Sequence, residues 1–279
     1  MKKKAVTGMK DILPEEMAIR QRILSAIRRV YGRFGFTEIE TPIVEHLENL
    51  LSKQGGDNEK LIFKVEKRGE KLKEAIEKGD FEALSDAGLR YDLTLPLSRF
   101  YAENQAKLPS PFKALQIGPV FRADRPQKGR FREFWQCDID IFVDSSFLSE
   151  IDLLLAMGTL LQEIGFGEQY PFYIVVNDRE ILKAMQRYAG FPEGDFEQIS
   201  IVLDKEDKIG RDGVKGELAG LGYSEEQISL YTELLDQVSG KKEDLLSLGE
   251  KLKDVLEEGV CQNLYKIMDL AEISGKGKI

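Results

Sequence analysis

Residues 121–142, FRADRPQKGRFREFWQCDIDIF, gather most of the chemistry of this chain into one stretch. Basic side chains crowd from Arg122 to Arg132, and strand-like alternation follows at once. At period 2, Phe134, Gln136, Asp138, Asp140 and Phe142 share one face, while Trp135, Cys137, Ile139 and Ile141 share the other. The second set reads as a core face. The first places an amide and two carboxylates beside an arginine-rich loop, which suits a small, polar, partly anionic ligand. Arg122 stands where a strand leaves a sheet, so it can be held rigidly, and its planar fork matches phosphate bidentately. Asp92, Gln136 and Asp140 suit a ligand with an ammonium group or ring N–H donors, such as an amino acid. Phosphoryl and nucleotidyl transfer need positioning and charge neutralisation more than an acid–base residue. That fits a chain whose single histidine is His46.

Each of these residues has a plainer explanation. The basic run is a solvated hairpin tip, Asp92 caps the helix announced by Thr94 and Pro96, and Asp138 and Asp140 keep an edge strand from pairing. Trp135 and Cys137 are plain core. Separate explanations do not account for Arg122, Gln136 and Asp140 sharing one face.

Composition sets the bounds. The chain has 279 residues, 42% of them hydrophobic and 32% charged, with a formal charge of −9. This is enough for a large core, or for one core and a smaller appended domain, and too acidic for a general nucleic-acid coat protein. Cys137 and Cys261 make no disulfide framework, and no Cys/His cluster has metal-ligand spacing. There is no apolar signal region after the basic start and no run of membrane-span length. A soluble cytoplasmic protein with reduced thiols is expected. Neither a phosphate-loop nor a dinucleotide glycine pattern is present, so an ATP site must be of another kind, its purine on an aromatic such as Phe134.

The elements that must position these residues follow from periodicity. Pro14, Glu15 and Glu16 open a helix whose stripe is Ile19, Ile23, Ile27, Val30, Tyr31 and Phe34, closed by Gly35. Residues 36–45 alternate as a strand carrying Pro42, and residues 66–80 form a charged hairpin or short helix. Leu89–Pro96 is a strand end turning into a helix. Phe112–Phe121 pairs with residues 131–142 as a hairpin. Ser145 or Ser146 caps a helix running to Gly165, and Phe172–Asn177 is a buried strand. From residue 178 short amphipathic helices dominate, one opened by the capping box Ser224-Glu-Glu-Gln227. The end, from Ser274, has the composition of a tail or linker.

At these residues the chain resembles histidyl-tRNA synthetases, members of the class II aminoacyl-tRNA synthetases. Thr7–Pro14 resembles that family's opening signature, and Gly35–Glu45 its motif 1. Arg90–Thr94 with Phe121–Asp140 resembles its histidine-binding segment and motif 2, and Ile201–Gly210 its insertion domain. The implied fold is α+β, an antiparallel sheet of class II synthetase type flanked by helices. Residues 1–177 would be the catalytic core, and 178–279 a mostly helical insertion domain and tail. The implied reaction joins histidine and ATP into histidyl-adenylate, then transfers histidine to tRNA(His). Arg122 would contact the ATP α-phosphate and the histidine carboxylate. Asp124, Arg130 and Phe134 would join it at ATP, Phe134 stacking on adenine. Asp92, Thr94 and Gln136 would hold the histidine ammonium, and Asp140 would accept from the imidazole. Arg125, Lys128 and Arg130 would approach the tRNA. Magnesium is expected with ATP, no metal on the protein itself, and a homodimer through motif 1. The family's second arginine signature, motif 3 and anticodon-binding domain are not in this sequence. On that ground a fragment or half of a split enzyme, impaired by itself, is expected. The rival expectation is a histidine-sensing regulatory paralogue of ATP phosphoribosyltransferase; the intact RPQKGR loop argues against it. A third is an RNA-binding or dimerisation fragment.

Overall fold

The computed structural model describes residues 2–51, 58–167, 170–237 and 242–274. They fall into two compact units, Met1–Ser145 and Ser146–Ile279.

In the first unit, α1 (Pro14–Arg33) opens with proline and two acids in its first turn. Its buried stripe is Leu24, Ala26, Ile27, Val30 and Tyr31, and Gly35 ends it at φ +84°. Ile19 and Ile23, expected in that stripe, are exposed. The strand expected over 36–45 breaks at Pro42 into β1 (Thr37–Ile39) and β2 (Val44–His46), which enter different sheets. After α2 (Leu47–Leu50), β3 (Lys64–Glu66) and β4 (Ser85–Leu89) join β2 in the antiparallel order β2-β4-β3. Between β3 and β4 the charged segment forms the short helix α3 (Glu70–Glu77). The second sheet has the order β1-β5-β6, with β5 (Phe112–Phe121) and β6 (Glu133–Phe142) as the hairpin and β1 parallel to β5.

The hairpin register pairs Ala114 with Asp140, Gln116 with Asp138, Gly118 with Gln136 and Val120 with Phe134. Opposed residues point the same way, so these eight share a face. On that face the β5 half is sealed: Phe112, Ala114, Gln116 and Val120 are all buried. The seal includes α4 (Thr94–Asn104), whose Leu97 clusters with Phe112 and Ala114, and the Tyr101 ring stacks on Phe142 at 4.3 Å. The β6 half stays partly open.

The second unit is helical. α5 (Phe147–Glu163) packs Ile151 and Leu154 against Ile267 and Ala271 of the last helix. The others are α6 (Arg179–Tyr188), α7 (Phe196–Leu203), α8 (Glu206–Gly220, kinked at Gly210), α9 (Glu225–Gln237), α10 (Lys242–Leu252) and α11 (Val260–Ser274). Their shared core includes Met185, Ile199, Leu218, Tyr231, Leu234 and Leu252. The capping box is present in both directions: Gln227 N–H donates to Ser224 Oγ at 3.3 Å, and Ser224 N–H donates to Gln227 Oε1 at 3.0 Å.

One further expectation needs correction. Residues 172–177 belong to no strand among the described residues; Tyr173 is 77% and Val175 90% exposed. Ile174 and Val176 pack inward, so the segment is covered on one side only. The change of character read near residue 178 does not coincide with the compact division at Ser145/Ser146, because α5 packs on α11. The tail, 275–279, lies outside the described residues. No helix among the described residues is long and apolar enough to cross a membrane.

Candidate active site

Arg122 follows the last residue of β5 and is fixed by three contacts. Its N–H donates to Arg132 O at 2.8 Å, its Nε donates to Tyr91 O at 3.0 Å, and its guanidinium lies 5.0 Å from the centre of the Phe134 ring. The two terminal nitrogens are left to reach an anion. The loop it opens is pinned from behind. Ala123 N–H donates to Leu61 O, Arg132 N–H donates to Gly8 O, and Arg132 Nε donates to Asp124 O at 2.9 Å. Gly8, at φ +86°, leaves no room for a side chain: a Cβ there would stand 2.7 Å from Arg132 Cγ.

Beyond Phe134 on the open half of the face come Gln136, Asp138 and Asp140. Gln136 Oε1 and Asp140 Oδ2 are both buried without a hydrogen-bond partner. Such orphaned acceptors are costly unless a ligand donor meets them. Asp92 closes one side and accepts from Leu95 N–H at 3.2 Å, so it does cap α4 as the plainer explanation held. It also faces the cluster: burial raises its pKa, and Arg122 opposes the rise. Burial likewise raises Asp140. Asp138 is pushed up to about 6, by burial first and then by Asp140 and Asp92, against the pull of Arg122. The face therefore holds more negative charge than its surroundings neutralise.

Of the residues expected at a site, Asp92, Arg122, Phe134, Gln136 and Asp140 come together. Thr94 begins α4 and is exposed; Asp124 is half-buried behind the loop. Arg125, Lys128 and Arg130 are exposed on the hairpin tip, which is closed by a Gln127–Arg130 bridge, and none has an ion-pair partner among the described residues. His46 is exposed on β2, in the other sheet. Trp135, expected as core, is 42% exposed with the Arg20 guanidinium 5.3 Å from its ring. Cys137 is half-buried, and burial pushes its thiol up to about 12, which removes it as a nucleophile.

Two residues were missed. Asp138 was read as a carboxylate of this face, with an edge-strand charge as its plainer explanation, but was given no part in the site. Arg90 entered only as the first residue of the segment Arg90–Thr94 and was given no role, yet it is 2% exposed and supports the site. Its Nε donates to Pro119 O at 2.9 Å, and Nη1 donates to Thr41 O at 2.7 Å and Thr41 Oγ1 at 3.2 Å. Its Nη2 fills the place where a Gly118 side chain would be, 2.2 Å from an ideal Cβ. Arg90 O also accepts from Phe121 N–H, one residue before Arg122. The only sequence signal was a glycine facing inward on a core strand. The arrangement suits anion binding at one end and cation or N–H recognition at the other, by positioning and charge alone.

The family model for histidyl-tRNA synthetase matches residues 8–277. The histidine–tRNA ligase of Leifsonia xyli subsp. xyli is 49% identical over 215 residues, 76% of this chain and 49% of that protein. A probable histidine–tRNA ligase of Tropheryma whipplei is 41% identical over 271 residues, 94% of this chain and 62% of that protein. The crystal structure of histidyl-tRNA synthetase from Nostoc sp. PCC 7120 superposes with a TM-score of 0.74 at 27% identity, covering 98% of this chain and 57% of that one. An ATP phosphoribosyltransferase regulatory subunit/histidyl-tRNA synthetase from Bacillus halodurans shares the fold, with a TM-score of 0.75 at 18% identity. The chain thus spans between about half and three-fifths of the two curated relatives described. With its hairpin face and its sequence in agreement, the chain belongs to the histidyl-tRNA synthetase family.

Proposed function

We propose that this chain carries the histidine- and ATP-binding region of an ATP-dependent histidine–tRNA ligase. The observation that carries the reading is the pairing, on one hairpin face, of a fixed arginine with two orphaned acceptors, Gln136 Oε1 and Asp140 Oδ2. In the proposed reaction a histidine carboxylate oxygen attacks the ATP α-phosphorus. The bond to the bridging oxygen breaks, and pyrophosphate leaves. Arg122 neutralises charge on the carboxylate and the α-phosphate as the new bond forms. Phe134 takes the adenine ring, with Asp124 near it. Asp92, Thr94 and Gln136 hold the ammonium group, and Asp140 accepts from the imidazole. Arg130 reaches the distal phosphates, and with Arg125 and Lys128 it grips the backbone of the tRNA acceptor end before histidine passes to the terminal ribose. Magnesium travels with ATP as its phosphate complex and supplies further charge neutralisation there.

In this reading residues 1–177 form the catalytic core and 178–279 the insertion domain. A homodimer through residues 35–45 is supported by exposed apolar side chains there and on α1, among them Ile19, Ile23, Ile43 and Val44. Cytoplasmic residence follows from the proposed role. Calorimetry with histidine and ATP, paired with histidine-dependent ATP–pyrophosphate exchange, tests the reading. Binding of both ligands with exchange supports it. Histidine binding without ATP binding favours a regulatory sensor, and tRNA binding with neither small ligand overturns it.

A further inference from the structure

Asp138 has no role in the proposed reaction, yet it stands between Gln136 and Asp140 on the ligand face. Among the described residues no hydrogen bond reaches its carboxylate, which feels only charge and burial. Gln116, directly across the hairpin, is engaged elsewhere: its Nε2 donates to Leu93 O at 3.2 Å, and its Oε1 accepts from Thr41 Oγ1 at 3.4 Å. The charged groups that act on Asp138 are Asp140 on its own strand, Asp92 ahead of α4, and Arg122 at the end of β5.

Residues two apart on a strand stand about 7 Å apart along one face. Hydrogen bonds of about 2.8 Å to the two nitrogens of an imidazole span a similar distance. We propose that Asp138 is a specificity-determining residue of this pocket, and that Asp138 and Asp140 address one ring nitrogen each of a bound imidazole and share a single proton with it. This deepens the histidine-binding reading and rests on it. Neutral imidazole offers one donor and one acceptor, whereas two ionised carboxylates offer acceptors only. The three groups together need one extra proton, held either as an imidazolium between carboxylates or as a carboxylic acid facing the bare nitrogen. The elevated pKa of Asp138 makes that proton available near neutrality. A ring of the same size without nitrogens can accept neither arrangement.

The test is calorimetric titration of the chain with L-histidine and with β-(2-thienyl)-L-alanine, at about pH 7.5 in buffers of different ionisation enthalpy. The unsubstituted protein is expected to prefer histidine at least tenfold and to take up about one proton on binding it. Asp138→Ala should narrow that preference about tenfold. Asp138→Asn, which donates an amide hydrogen without titrating, should restore most of the preference while abolishing proton uptake. A general loss of structure would weaken both ligands alike and leave their ratio unchanged. If Asp138→Ala keeps both the full preference and the proton uptake, the inference falls and the histidine-binding reading stands. If the unsubstituted protein shows no preference for histidine, both fall.

Discussion

The helical unit and the hairpin treat polar groups in opposite ways. Among the described residues six cations of the helical unit are matched: Arg179 with Glu197, Lys183 with Glu180, Arg187 with Glu193, Lys205 with Glu217, Arg211 with Glu206 and Asp236, and Lys242 with both Asp269 and Glu272. On the hairpin, Arg125, Lys128 and Arg130 have no ion-pair partner, and Gln136 and Asp140 each bury an acceptor that meets no donor. The helical unit is not perfect, since Ser200 Oγ and Arg211 Nη1 are also orphaned. Those two atoms are scattered, whereas the hairpin's unmet groups lie four residues apart on one face. Charge that a fold satisfies internally is structural. Charge left unsatisfied in one place is held for something else.

Substitutions should separate the two regimes. Leu218→Ala empties part of the helical core, where Leu218 is fully buried, and should cost about 2–5 kcal/mol in chemical denaturation. It should leave nucleotide affinity within twofold; coupled loss would join the regions that the comparison separates. Arg122→Met should lower ATP affinity about 100-fold by calorimetry while shifting the thermal midpoint little. A large destabilisation with unchanged ATP affinity would make Arg122 structural.

Asp138→Asn should stabilise the ligand-free protein by on the order of 1–3 kcal/mol near pH 7. The sign follows from the raised folded-state pKa of about 6. The folded state binds the proton more tightly than the unfolded chain does, so stability falls as pH rises through about 6 and recovers on acidification. Asp92 and Asp140 act in the same direction. Glu45 acts oppositely. Burial would raise it, but Arg99 at 2.6 Å and the His46 N–H outweigh burial and hold it low, so its contribution is lost only at more acidic pH. A thermal midpoint that rises between pH 7 and 5 would bear this out; a steady fall across that range would contradict it. The smallest effect is expected from Glu193→Gln, which breaks an exposed pair with Arg187 and should change stability by less than about 1 kcal/mol.

Alternation and turn chemistry made the hairpin legible. Period 2 with a basic, glycine-bearing tip implied a hairpin of Phe112–Phe121 with residues 131–142, and that pairing is observed. The Asp92 cap and the Ser224 capping box were legible because their partners lie three residues away. What the sequence hid depends on neighbours distant in the chain. A period-2 pattern says which residues share a face, not whether anything covers it, so Trp135, Tyr173 and Val175 were read as core and are exposed. The exposure of Ile19 and Ile23 has the same origin, since an apolar stripe records what could be buried rather than what is. Arg90 was hidden for a different reason. A buried guanidinium is normally sought beside a carboxylate, and this one is satisfied by main-chain carbonyls and a threonine hydroxyl from segments 29 to 49 residues away.

That choice of partners has an electrostatic consequence. Carbonyl dipoles satisfy the hydrogen bonds of Arg90 but leave its full unit of charge uncancelled, and Glu40 is the one carboxylate that registers on it. Because Gly118 lets the guanidinium come close to β5, this buried cation lends a standing positive potential to the strand end that Arg122 follows. Mobile ions screen a buried charge far less than an exposed one. A polyphosphate approaching this end of the hairpin would thus be drawn by one screened source, the exposed tip, and one nearly unscreened source beneath the backbone. Its attraction should fade with salt less steeply than the exposed arginines alone would suggest, although the chain as a whole carries a net charge of −9.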